Sequence, residues 1–275
     1  MLDRWINIFF SLVLILIFIL LGDAADHRQI LLAFFLAVLI SNISFIFNWL
    51  SIDGAFAAAI LGIITFGLGG LSAAIVLLAF FISGSVLSKN PVPQQGVLEQ
   101  KFRREGKQVW ANGFWFALWI VIWYLTNSEI FMVGAVTVIA TATSDTWATE
   151  IGHREEEHKT RLITTGKEVE PGTHGGVSFF GTMAGIIGSL FIGLLFWGVN
   201  SAYGFTSFVI ISIIGFLGCL VDSYIGARYQ NKQYETSLFS FIGKKKFYIR
   251  NNFVNWLSTG IASFISIILT LITGT

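Results

Sequence analysis

An all-α fold is predicted: a polytopic membrane helical bundle of about nine transmembrane helices with a cytoplasmic N-terminus. Three features carry this expectation. Of 275 residues, 55% are hydrophobic and only 12% charged, against roughly 25% charged in a soluble domain, and mean hydropathy is +0.74. Apolar residues fall into nine windows near the ~20 residues a helix needs to cross a bilayer. Basic residues collect in alternate connections. A soluble enzyme of this composition would leave large apolar areas in water. A net charge of +1 with sparse charge argues against a disordered or nucleic-acid-binding chain. Cys219 is the sole cysteine, so no intrachain disulfide or cysteine-based zinc site forms.

The predicted spans are Trp5–Leu21, Ile30–Phe47, Gly54–Leu68, Leu71–Leu87, Val109–Thr126, Ile130–Thr143, Val177–Val199, Phe205–Val221 and Phe253–Thr273. The first lacks a small-x-small cleavage pattern before Asp23–Arg28 and is read as a mature helix. The third and sixth are short. Gly181 and Gly185 form a small-xxx-small packing seam at the start of the seventh. With the N-terminus inside, Arg4, five basic residues from Lys89 to Lys107, four from Arg154 to Lys167 and six from Arg228 to Arg250 are cytoplasmic. Of the 17 basic residues, only Arg28 is then outside. The chain reads as one integral membrane domain over 1–275, with loops 88–108, 144–176 and 222–252 forming the active face.

Four polar segments carry the candidate chemistry. The first holds Lys89, Lys101, Arg103, Arg104 and Lys107. Some of these charges meet anionic lipid heads, and arginine also suits bidentate contact with phosphate. Asn112 lies one turn inside a helix, where an unpaired amide is costly, so it should bond a partner helix or a ligand. The second runs from Ala142 to Gly152. Asp145 and Thr149 share a helix face, and Glu150 lies about 140° away at roughly 100° per residue. Glu150 joins Asp145 on one ligand only if the helix ends or kinks. Carboxylates with hydroxyl neighbours are hard oxygen ligands that suit Mg2+ rather than zinc.

The third segment runs from Arg161 through Lys167 to Ser178. Pro171 and Gly172 make a turn, Thr173 and His174 follow, and Gly175 and Gly176 let backbone approach a ligand. The helix that opens after Ser178 turns free N–H groups toward this loop, an arrangement suited to phosphate. Walker A spacing is absent. His174 reads most simply as a hydrogen-bonded residue. The fourth contains Asp222, at the inner end of an apolar span, with Ser223, Gly226 and Gln230. Asp145 and Asp222 are expected to converge, with Asp53 at the same end, and Asn251, Asn252 and Asn255 to complete a polar pocket. His153, Glu155–Glu157 and His158 read as a solvated acidic loop, and Lys244–Lys246 as lipid-facing charge.

These segments together resemble the phytyl-phosphate kinase family, polytopic membrane proteins long catalogued as a domain of unknown function. The resemblance covers nearly the whole chain. Its carriers are Phe80–Gly84 with Lys89; Arg103-Arg104 through Gln108 to Gly113; Ser144-Asp145-Thr146 with Ala148 to Gly152; Arg161 with Ile163 to Gly166; Pro171 to Thr173 with Gly175 to Ser178; and Val221-Asp222-Ser223 with Gly226 and Gln230. The family pattern has Asn where His174 stands. The resemblance implies phosphoryl transfer from a nucleoside triphosphate, CTP favoured, to an isoprenoid monophosphate of phytyl type in the bilayer, with Mg2+. Asp145, Asp222, Arg104 and Asn112 would be catalytic. Asp145, Glu150 and Asp222 would hold metal. Lys89, Lys101, Arg103, Lys107, Arg161, Lys167, Gly172, Thr173, His174, Gly175, Gly176 and Ser178 would hold phosphate. The rival expectation is a transporter or flippase of a phosphorylated lipid or small anion. Transport calls for polar groups near the midplane, whereas the ionisable groups here gather at the inner edge.

Overall fold

The computed structural model describes residues 2–88, 103–153, 160–230, 232–236 and 245–274. Among them are nine α-helices: α1 (Leu2–Leu20), α2 (Ala24–Ile46), α3 (Ile52–Gly67), α4 (Gly70–Ser88), α5 (Gly106–Thr126), α6 (Glu129–Gly152), α7 (Phe179–Val199), α8 (Gly204–Tyr229) and α9 (Asn251–Thr273). Eight are long and apolar enough to cross a membrane, and α3, with 16 residues, is shorter. Two antiparallel hairpins join them: β1 (Arg161–Leu162) with β2 (Gly176–Val177), and β3 (Gln233–Thr236) with β4 (Lys245–Tyr248).

Several boundaries differ from the sequence expectation. Helix α6 runs unbroken to Gly152, more than two turns past Thr143. Helix α8 continues past Val221 to Tyr229, so Asp222 lies within it and does not end it. Helix α7 starts at Phe179, because Gly176 and Val177 belong to β2. Hydropathy marks where a helix stops facing lipid. It does not mark where the helix ends, because neighbouring protein can shield further polar turns. Helix α2 starts early for a local reason: Asp23 and Asp26 form a capping box, with the Asp23 side chain accepting from the N–H groups of Ala25 (2.7 Å) and Asp26 (2.9 Å).

Helix α6 is the centre of the bundle, packed against α4, α5, α7, α8 and α9. Every residue from Met132 to Ser144 is buried. The stretch is rich in Ala, Val and Thr. Its threonines are satisfied internally: Thr137, Thr141 and Thr143 donate to the carbonyls of Val133, Thr137 and Ile139 at 2.7–2.9 Å. Ser144 donates across to the Gly185 carbonyl of α7 at 2.8 Å. Small residues admit the neighbours. A Cβ at Gly185 would lie 3.1 Å from the Ser144 hydroxyl, and one at Gly218 of α8 would lie 2.6 Å from the Thr141 side chain. Close small-residue contact with interhelical hydrogen bonds is how helices associate when surrounded by lipid.

The basic connections share one end of the bundle. Arg104 N–H donates to the Trp49 carbonyl (3.0 Å) and Ser51 N–H to the Arg104 carbonyl (3.1 Å), so the segment before α5 lies along the α2–α3 turn as a parallel bridge. Asp53 accepts from the Gly106 N–H at 2.8 Å and the Ser51 hydroxyl at 2.5 Å. It therefore ties α3 to α5. At the opposite end Gln29 donates to the Phe66 carbonyl (3.0 Å) and the Tyr124 hydroxyl to Asp26 (2.9 Å).

The β1–β2 loop folds back onto α8. The Ile163 N–H donates to the Gly175 carbonyl at 2.9 Å. Gly175 has φ +74°, and a Cβ there would stand 2.3 Å from the Ala227 Cβ.

Two substitutions test these contacts. Gly54→Ala sets a Cβ 2.1 Å from the Arg104 carbonyl oxygen. It is expected to lower stability by about 1–3 kcal/mol, read as a lower melting temperature in detergent; an unchanged melt would contradict the docked bridge. Gly175→Ala is expected to lift the loop from α8 and speed protease cleavage within 160–178, with the helical bundle left intact.

Candidate functional site

A polar cavity of about 440 Å³ opens at the end of the bundle that carries the basic loops. Helix α6 contributes Asp145, Thr146, Thr149 and Glu150. Helix α8 contributes Asp222, Ser223 and Gly226. The loop from Gly172 to Ser178 forms another wall, and Arg103, Arg104, Gln108, Asn251 and Asn255 complete the lining.

Asp222 is buried on α8, and its carboxylate accepts from the Ser258 hydroxyl of α9 at 2.8 Å. Asp145 is half-buried, its open side toward the cavity. The two carboxylates are near enough for their charges to act on one another. Among the described residues Asp145 has no ion-pair or hydrogen-bond partner, and Asp222 has no basic one. Two acidic groups deep in a membrane bundle and without a cation are costly, and such groups mark ion or substrate sites.

Glu150 stands apart from the pair. It accepts from the Ser88 hydroxyl at 2.6 Å, and its charge acts on Arg104. Among the described residues no three His, Cys, Asp or Glu side chains group closely enough to hold a metal ion. The expected set of Asp145, Glu150 and Asp222 is thus not brought together as one cluster. The reason is geometric: α6 stays helical from Asp145 past Glu150 to Gly152, which sets the two on different faces.

Arg104 is enclosed. Its guanidinium lies 5.3 Å from the Phe80 ring centroid and 5.8 Å from that of Phe81. Burial lowers its pKa to about 10, and the Glu150 charge opposes that shift, so it stays cationic at neutral pH. Arg103 bonds the Asn48 side chain and lies over the Phe45 ring. Gly84 leaves room for Arg104, since a Cβ there would be 2.5 Å from a guanidinium nitrogen.

The other expected phosphate contacts divide. Gly172, Thr173, His174, Gly175, Gly176 and Ser178 all border the cavity. Part of the hydrogen-bonding capacity there is already used. The Gly176 N–H bonds the Thr173 carbonyl at 2.8 Å, and Ser178 caps α7 by accepting from the Gly181 N–H at 3.2 Å. His174 meets Gln230 at 3.4 Å between ring and amide nitrogens. Three basic residues lie away from the cavity lining. Lys107 pairs with Glu105 at 2.5 Å, Arg161 pairs with Glu168 at 3.8 Å, and Lys167 is exposed on the β1–β2 loop. Positive charge in exposed turns finds local acidic partners or water. Lys89 and Lys101 lie outside the described residues, as do Glu155–Glu157, His158 and Lys244.

Asn112 lies beyond the polar cavity, in an adjoining apolar groove, and accepts from the Asn255 amide at 3.2 Å. Its expected partner helix is α9, and it reaches the cavity only through Asn255. The Asn255 side-chain oxygen is buried without a partner among the described residues. Sequence reasoning missed Ser258 and His153. Ser258 follows Asn255 by three residues on α9, a spacing that puts both on one face. His153 follows the last turn of α6 and borders the cavity beside Gly172, rather than joining a solvated loop.

The lining suits Mg2+ by the chemistry of its donors. Mg2+ takes oxygen ligands, commonly one or two carboxylates together with phosphates and water. Asp145 and Asp222 supply such a pair.

A family model described as integral membrane protein DUF92 matches residues 33–263, from within α2 to within α9. An uncharacterized membrane protein of Methanocaldococcus jannaschii is 34% identical over 187 residues, 66% of this chain and 74% of its own length. Protein VTE6, chloroplastic, of Arabidopsis thaliana is 30% identical over 233 residues, 80% of this chain. The alignment spans 65% of that protein, just under two thirds. Protein PGR of the same plant is 27% identical over 281 residues, 89% of this chain and 97% of its own. No solved structure matches significantly. With the match extending over more than half of the chain, the protein belongs to the integral membrane DUF92 family.

Proposed function

We propose that the protein is a membrane kinase that transfers a phosphoryl group from a nucleoside triphosphate, CTP favoured, to a prenyl monophosphate of phytyl type. The observation that carries this reading is the Asp145–Asp222 pair, two carboxylates facing one cavity that Arg104 and the Gly172–Ser178 loop also border. Its family membership and its resemblance to phytyl-phosphate kinases support the choice of substrate. The gathering of basic connections at the cavity end supports a cytoplasmic active face, where nucleotides are found.

In the proposed reaction, an oxygen of the acceptor monophosphate attacks the terminal phosphorus of the nucleotide. A P–O bond forms there as the bond to the bridging oxygen breaks, giving prenyl diphosphate and nucleoside diphosphate. A phosphomonoester has its second pKa near ~6, so the acceptor is ionised and no strong base is needed. The task is alignment and charge neutralisation. Mg2+ held by Asp145 and Asp222 would supply charge neutralisation between the phosphates. Ser258 keeps the Asp222 carboxylate oriented. Arg104, fixed between two phenylalanine rings and Glu150, offers a preorganised cation to a phosphate. The Gly172–Ser178 loop provides close backbone approach.

The test uses purified full-length protein in lipid with Mg2+, each nucleoside triphosphate in turn and geranylgeranyl or phytyl monophosphate, with prenyl diphosphate read by mass. Wild type is expected to form product. Asp145→Asn is expected to reduce turnover by about a hundredfold or more with an unchanged elution profile. No product with any nucleotide, or a fully active Asp145→Asn, would overturn the proposal.

A further inference from the structure

A second, apolar groove lies beside the polar cavity, between α2, α3, α4 and α5, with a volume of about 210 Å³. Small residues make its space: Ala33 and Ala37 on α2, Ala58 and Gly62 on α3, and Ala74 on α4. Each of the first two pairs is spaced by four, so each lines one helix face. The lining runs from Leu50, beside the Arg104 bridge, to Phe66 and Leu71 at the opposite turn. That is the length of α3, ~24 Å at 1.5 Å per residue.

The groove and the polar cavity meet. Arg104 and Gln108 border both. Phe80 and Phe81, which carry the Arg104 guanidinium, are groove walls. One fixed cation therefore stands where an apolar channel opens into a chamber containing two carboxylates. A molecule that satisfies both spaces has an anionic head and one long hydrocarbon tail. A neutral lipid would bring no charge to Arg104 at the junction, and a free phosphate would leave the groove empty.

We propose that this groove holds the tail of the phosphorylated lipid, with its phosphate at Arg104, and that Ala58 and Ala74 govern which tails enter. This rests on the kinase reading for the identity of the head group. The two positions differ in depth. Ala58 lies six residues past Ile52, in the half of α3 nearer Arg104, whereas Ala74 is four residues past Gly70, near the far turn. Both are half-buried, with part of their surface open. Bulk at Ala74 shortens the groove, and bulk at Ala58 closes it near the mouth.

The experiment measures retention of geranyl monophosphate, geranylgeranyl monophosphate and geranylgeraniol by the purified full chain, using native mass spectrometry, with turnover assayed in parallel. Wild type is expected to retain the long phosphate in preference to the long alcohol, and Arg104→Ala to lose that preference. Ala74→Phe is expected to weaken the long phosphate about tenfold and leave the short one within about twofold. Ala58→Phe should weaken both. If a phenylalanine variant does not fold, Ala74→Leu reads the same length shift with smaller amplitude. Equal retention of both lengths by wild type and Ala74→Phe would overturn the groove assignment, as would a host phospholipid retained in place of every prenyl compound. Length-dependent binding without diphosphate from any nucleotide would leave the groove and remove the kinase. Diphosphate formation insensitive to Ala74→Phe would do the reverse.

Discussion

The structure depends on a helix that is buried along most of its length. Helix α6 has almost no lipid-facing surface between Met132 and Ser144, so every neighbour must approach closely. Alanines and threonines on α6, with Gly185 on α7 and Gly218 on α8, allow that approach. The threonine hydroxyls are returned to the helix backbone, so no polar group is left unmet along this stretch. The same burial sets the position of Asp145. It follows Ser144, the residue that bonds α7, and its place in space is fixed by five surrounding helices. A site built on such an element is held more precisely than one built on loops.

Two further devices surround it. Helix α9 brings Ser258 to Asp222 and Asn255 to Asn112, so one helix supports both the carboxylate pair and the α5 side of the groove. The Arg104 segment is pinned by backbone bonds to the α2–α3 turn, with Gly54 and Gly84 small where it passes. A cation in apolar surroundings is costly unless answered. Here the phenylalanine faces and Glu150 answer it in part, and a phosphate would answer the rest.

Most of the bundle was legible in the sequence. Nine apolar windows correspond to nine helices among the described residues, because lipid demands long unbroken apolar runs. The ends of α6 and α8 at the polar cavity were not legible. Their last turns carry Asp145, Glu150 and Asp222, which hydropathy takes as the start of a loop, yet neighbouring helices and the β1–β2 loop shelter them. The meeting of Asp145 with Asp222 followed from topology, since both helices run toward the same end. The separation of Glu150 did not, because it depends on α6 staying helical as far as Gly152. Single basic residues such as Lys107 and Arg161 could not be sorted by sequence either, since their acidic partners are close in the chain and compete with any ligand.

The kinase proposal rests on Asp145 and Asp222 binding a divalent cation together with phosphate. The most direct measurement is the melting temperature of the purified protein in lipid nanodiscs, with and without Mg2+ and a nucleotide. A ligand that binds only the folded state raises stability by RT ln(1 + [L]/Kd), so the melting temperature climbs with its concentration. A concentration-dependent rise is expected in wild type that disappears in Asp145→Asn and Asp222→Asn, each folded and each insensitive to Mg2+. Equal rises in wild type and both variants would contradict it, and would assign the pair to the packing of α6 against α8.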